Sequence, residues 1–79
     1  MTKEIIGLRS LKVGQKAVVN KVNAEGDLGR RIREMGLVPG SEIEIVGRAP
    51  LNDPVALRLK GFTLSLRNNE ADYITVNIA

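Results

Sequence analysis

Residues 26–48 read GDLGRRIREMGLVPGSEIEIVGR, and the order of local signals in this stretch sets the fold. Leu28, Ile32 and Met35 recur at i, i+4 and i+7, which is one apolar stripe of a short helix. Asp27 stands where an N-cap belongs, since its carboxylate can accept from the orphan N–H groups of a first turn. Arg30, Arg31, Arg33 and Glu34 fall on the other faces. Gly36 follows the last periodic residue and suits the left-handed position that ends a helix; Leu37 is then placed to touch Ile32, the apolar contact that accompanies a Schellman stop. Pro39-Gly40 matches the central pair of a type II turn, because Pro presets φ and Gly supplies φ > 0. Glu42-Ile43-Glu44-Ile45 then alternates with the period of a strand. The stretch is a helix over about 28–35, a glycine stop, a turn and a strand.

Outward from it, the rest reads as β structure. Gln15 to Val22 is a strand whose inward face is masked by the apolar run Ala17-Val18-Val19. Strand Glu42–Val46 is followed by Gly47, which marks a bulge or a close backbone approach. Val55, Leu57 and Leu59 alternate over 55–60, and Phe62, Leu64 and Leu66 alternate over 62–66, with Gly61 as a tight hairpin position. Residues 68–72 form one helical turn capped by Asn68 or Asn69. Ile74, Val76 and Ile78 point inward from a last strand over 73–78. Leu8 and Leu11 are core candidates, while residues 1–7 are expected to be loosely held, as termini often are. Five short strands with turns at close intervals predict an all-β domain, a small, partly open five-stranded barrel. One two-turn helix follows the first strand, too short to stand alone in water, and a helical turn precedes the last strand.

The chain has 79 residues, one domain's worth, near the lower limit for folding without staples. It contains no Cys and no His, which removes disulfides, thiolate metal sites, a cysteine nucleophile and the commonest general base. No GxxxxGK[ST] loop is present, and Ser10, Ser41 and Ser65 lack a histidine partner, so the chain is expected not to be an enzyme. No apolar run reaches the roughly 18–20 residues of a membrane span, and no signal-peptide core stands at the start. The net charge of +3 is mild, and Phe62 and Tyr73 are the only aromatics, a poor basis for stacking nucleic acid. Glu42 and Glu44 share a strand face, but two carboxylates without a third ligand make a poor metal site.

The motifs now collected resemble one family. Leu11-Lys12-x-Gly14, Leu28-x-Arg30-Arg31-Ile32-x-x-Met35-Gly36-Leu37-x-Pro39-Gly40, Arg48-Ala49-Pro50-Leu51-x-Asp53-Pro54 and Leu57-x-Leu59-x-Gly61-x-x-Leu64-Ser65-Leu66-Arg67 look like the FeoA family, over nearly the whole chain. The resemblance implies an SH3-like β-barrel; some members of that family carry His or Cys tied to metal binding, and since this chain has neither, no cofactor or metal is expected. It implies a cytoplasmic accessory protein of bacterial ferrous iron uptake that works with the membrane GTPase-permease FeoB and reaches the membrane through that partner. It also leaves weak self-association open. A related module ends some metal-dependent repressors, so a metal-responsive regulatory module is one alternative; a small basic nucleic-acid-binding barrel is the other.

The partner-binding candidates are Arg30, Arg31, Arg33, Arg48, Pro50 and Leu51. Arginine suits docking because its planar fork binds carboxylates bidentately, although the same charge pattern also describes a solvated helix face. The Pro-Leu tip is open between an interaction loop and a stiff connection. Gly36, Leu37, Pro39 and Gly40 are structural: they fix the angle between helix and strand.

Overall fold

In the computed structural model, residues 4–48 and 54–78 are described. They form β1 (Glu4–Gly7), a 3₁₀ turn (Leu8–Ser10), β2 (Lys16–Val22), α1 (Gly26–Glu34), β3 (Glu42–Arg48), β4 (Val55–Leu59), β5 (Phe62–Leu66), α2 (Asn68–Ala71) and β6 (Ile74–Ile78). The strands make one antiparallel sheet in the order β1-β6-β2-β3-β4-β5. It is not closed: among the described residues, β1 and β5 have no strand on their outer sides.

The sheet has six strands, one more than the sequence pattern predicts. The addition is Glu4–Gly7, expected to be loose, which pairs with β6 from Glu4–Ile78 to Gly7–Thr75. This strand lies at the edge with Glu4 and Ile5 exposed, so no inward alternation announces it; its partner is some seventy residues away in sequence, beyond any local signal.

Two bulges bend the sheet, since an unpaired residue on one strand raises local twist. Asn20 is the extra residue between Val19 and Lys21 on β2, and its side-chain amide donates to Thr75 Oγ1 at 3.1 Å. Val46 is the extra residue between Ile45 and Gly47 on β3. A Cβ on Gly47 would meet nothing within 4 Å, so Gly47 goes with the bulge rather than with a close approach. The β4–β5 hairpin turns on Lys60 (φ 50°) and Gly61 (φ 86°), the double positive φ of a type I′ turn, which matches strand twist.

The core is aliphatic. Leu8, Leu11, Val19, Ile32, Leu37, Ile45, Val55, Leu57, Leu59, Leu66, Ile74 and Val76 are all almost wholly buried. Ala17 and Val19 settle the inward face of β2. Phe62, expected inward, is 51% exposed and Leu64 is half-buried, because β5 is the last strand of the sheet and has no further strand beside it among the described residues. Of that set, Leu66 is fully buried and Leu64 packs against the core from its edge, while Phe62 stays outside it.

The helix stop forms as the sequence predicts. Gly36 has φ 99°; its N–H donates to the Arg33 carbonyl at 2.9 Å and the Leu37 N–H to that of Ile32 at 3.4 Å, the two bonds of a Schellman motif. Gly40 has φ 94°, and the Ser41 N–H closes the Pro39-Gly40 turn on the Val38 carbonyl at 3.0 Å. Ser41, buried at 6% exposure, braces both turns: its hydroxyl donates to the Gly36 carbonyl at 2.8 Å and accepts the Val38 N–H at 3.3 Å.

Candidate docking surface

Helix α1 presents its surface residues from a fixed seat. Its start differs from expectation: Glu25 is the N-cap and makes no side-chain cap bond. The Gly29 N–H already donates to the Glu25 carbonyl at 3.3 Å, so Asp27 lies inside the first turn. There its charge faces the positive end of the helix dipole. Ile32 is fully buried, while Leu28 and Met35 are half-buried against the core. Gly29 is the second buried residue of the helix. A Cβ there would lie 2.3 Å from the Ala24 carbonyl oxygen, so the helix backbone rests directly on the loop before it. The apolar spacing alone gives no hint of this glycine.

The arginines named from the sequence have different surroundings. Arg30 is exposed and pairs with Asp27 at 3.3 Å, one turn back. Arg31 crosses to α2, where its guanidinium meets Glu70 Oε2 at 3.0 Å. Arg33 is exposed, with no ion pair among the described residues. Arg48 lies elsewhere, in a depression it shares with Arg9 to Val13. Its Nη2 donates to the carbonyls of Arg9 at 2.7 Å and Leu11 at 2.6 Å, which staples the β1–β2 connection to the end of β3. Pro50 and Leu51 lie outside the described residues.

Glu70, which the sequence pattern marks only as part of the resemblance and as one of the scattered acidic residues, is the hub of this side of the molecule. Its side chain is 14% exposed. One carboxylate oxygen holds Arg31, and the other accepts the Arg67 N–H at 3.0 Å. Arg67 is therefore the N-cap of α2, in place of the expected Asn68 or Asn69, because Glu70 sits three residues on and satisfies its N–H. At the other end of α2, Arg9 meets both Asp72 oxygens, at 3.1 and 3.3 Å. The short turn is thus tied to α1 on one side and to the 3₁₀ turn on the other.

Between α1 and α2 lies a shallow depression of about 300 Å³ lined by Leu28, Arg31, Arg67, Asn69, Glu70 and Tyr73. Tyr73 is 44% exposed. The sequence offered it only as one of two aromatics; its place beside Leu28 depends on β6 returning next to β2. The depression thus sets Leu28 and Tyr73 among Arg31, Arg67 and the partly buried Glu70, and Arg67 and Glu70 also border a neighbouring depression with Ser65 and Pro54. Arg30 is exposed next to Arg31 on α1, whereas Arg33, two residues after Arg31, falls on the other flank of the helix, beside Gly29. Tyrosine and arginine are enriched in the anchoring positions of protein interfaces.

Among the described residues, no three acidic side chains come together as a cation site, and Glu44 instead faces Arg58 at 4.0 Å across β3–β4. Nor is any helix among them long and apolar enough to cross a membrane.

Comparison with known proteins agrees with this geometry. The model of the FeoA domain matches residues 6–78. A fusion protein of Fe(2+) transport protein A and the Fe(2+) transporter FeoB from Porphyromonas gingivalis is 41% identical over 71 residues, which cover 90% of this chain and 8% of that protein. The solution structure of an FeoA-like protein from Clostridium acetobutylicum is 46% identical, with a TM-score of 0.87 over 99% of this chain and 90% of that one. The zinc-complexed crystal structure of Stenotrophomonas maltophilia FeoA, described as a prokaryotic SH3 domain protein, is 29% identical with a TM-score of 0.76, covering 96% of this chain and 89% of that one. With an SH3-like sheet and a family match running through nearly its whole length, this chain belongs to the FeoA family of ferrous iron transport proteins.

Proposed function

We propose that this protein is a non-enzymatic accessory of ferrous iron uptake that binds the cytosolic part of an FeoB-type permease and modulates its transport or GTPase cycle. The observation that carries the reading is the Porphyromonas gingivalis relative, in which a segment 41% identical to this chain shares one polypeptide with the transporter FeoB. The two are linked covalently in that relative, and on this reading a surface of this domain meets the permease. We read the α1–α2 face as that surface, with Leu28, Tyr73, Arg31 and Arg67 around the depression and Arg30 beyond. Such a face suits an acidic partner surface, with the arginines steering approach and Leu28 and Tyr73 holding the complex. Arg48 is left out, since its guanidinium is engaged with two carbonyls of its own chain.

Calorimetric titration of the intact protein against the permease's cytosolic region tests the reading. Saturable one-to-one binding that weakens as salt is raised is expected, and Arg30→Glu with Arg67→Glu should weaken it about tenfold or more at low salt. No binding by folded protein would overturn the reading.

A further inference from the structure

The edge of β5, beside which no strand lies among the described residues, carries an inference separate from the proposed function. Natural edge strands are guarded by charges, prolines, bulges or shortness. β5 has none within it: Phe62-Thr63-Leu64-Ser65-Leu66 is five uncharged residues, paired with β4 in unbroken register from Leu59–Phe62 to Val55–Leu66. Its apolar face is unfinished, with Phe62 51% exposed and Leu64 half-buried. The other edge strand, β1, differs: it carries the charge of Glu4 and ends in Gly7, a poor strand former.

The register fixes which peptide groups face outward. The two-residue turn closes on the hydrogen-bonded pair Leu59–Phe62, and pairs alternate along an antiparallel ladder. Leu57–Leu64 and Val55–Leu66 are then also hydrogen-bonded pairs, whereas Arg58–Thr63 and Ala56–Ser65 are not. The N–H and C=O groups of Thr63 and Ser65 therefore point away from β4, with no strand beside them among the described residues.

We propose that this edge pairs with the same edge of a second copy of the chain, antiparallel about a two-fold axis through Leu64. That register sets Leu64 beside Leu64 of the second copy as a non-hydrogen-bonded pair. Thr63 faces Ser65 of the second copy, and Ser65 faces its Thr63, as two hydrogen-bonded pairs, so all four outward N–H and C=O sets are met. The exposed Phe62 covers the end of the second copy's strand at Leu66. The pairing is self-complementary in charge as well: Gly61 comes opposite Arg67 and Lys60 opposite Asn68, so no like charges stand directly across from each other. A contact of one strand per copy falls below the area of stable dimers, so the expected dimer is weak and builds up only at high protein concentration.

Sedimentation equilibrium of the intact chain up to the millimolar range, with isotope-filtered NOE spectra at the top of it, tests the pairing. A monomer–dimer equilibrium with intermolecular contacts between Leu64 and Leu64, and between Thr63 and Ser65, is expected. Thr63→Lys with Ser65→Lys puts like charges directly opposite twice about the axis and should weaken the dimer roughly tenfold. Thr63→Glu with Ser65→Lys makes the same positions complementary and should restore or tighten it. Both residues are exposed, so neither variant disturbs the core. A chain that stays monomeric at millimolar concentration, a dimer indifferent to these charges, or an edge taken up only by the permease's cytosolic region would each overturn the proposal.

Discussion

Gly29→Ala is the substitution whose outcome depends most on how α1 is seated. In an exposed helix interior, replacing Gly by Ala stabilises by about 1 kcal/mol, because Ala restricts the unfolded backbone and favours the helix. Here the added Cβ would stand 2.3 Å from the Ala24 carbonyl oxygen and 2.8 Å from its carbon. Ordinary C···O approaches are about 3.3–3.6 Å, so helix and loop must part by about 1 Å. The obstacle is backbone, and no rotamer change relieves it. Overpacking of this kind costs about 1–3 kcal/mol, to which the loosening of Ile32 from the core adds. The net expectation is a loss of about 1–2 kcal/mol where local propensity alone predicts a gain. For a domain of this size that corresponds to a fall in Tm of roughly 5–15 °C. Thermal and urea unfolding followed by far-UV circular dichroism read it directly. A Gly29→Ala protein as stable as the parent, or more so, would refute the seating of α1 on the Ala24 carbonyl.

Other substitutions separate structural roles from docking roles. Glu70→Ala removes both the cap on the Arg67 N–H and the partner of Arg31, and should cost about 1–2 kcal/mol in urea unfolding. Arg31→Ala, which removes the ion pair but leaves the Glu70 cap on the Arg67 N–H, should cost less, about 1 kcal/mol. Arg48→Met should lower stability by about 1–3 kcal/mol, because it leaves the carbonyls of Arg9 and Leu11 without their charged donor. Its affinity for the permease, measured below the melting transition, should remain that of the parent.

Much of the fold was legible locally. Val55, Leu57 and Leu59 alternate into the core as written, and Gly36, Pro39 and Gly40 take the conformations their chemistry demands, because a stop or a turn is decided by a few neighbouring residues. What escaped is non-local. Glu4–Gly7 is a strand only because β6 returns beside it. Phe62 alternates like a core residue yet lies where the sheet ends. Gly29 matters for a contact with a backbone atom, which no side-chain pattern records. The candidate surface divides the same way. The helix arginines were visible as a charged run. Their differing surroundings, the hub at Glu70 and the placing of Tyr73 beside Leu28 arise only when α1, α2 and β6 are brought together.

The claim that the α1–α2 face receives the permease is tested most directly by amide chemical-shift mapping. In spectra of ¹⁵N-labelled protein titrated with the permease's cytosolic region, the largest changes should gather on Leu28, Arg31, Arg67 and Tyr73 and extend to Arg30. Binding that instead shifts the outer face of β2 and β3 around Lys16, Val18 and Glu44, leaving α1 and α2 unmoved, would contradict it.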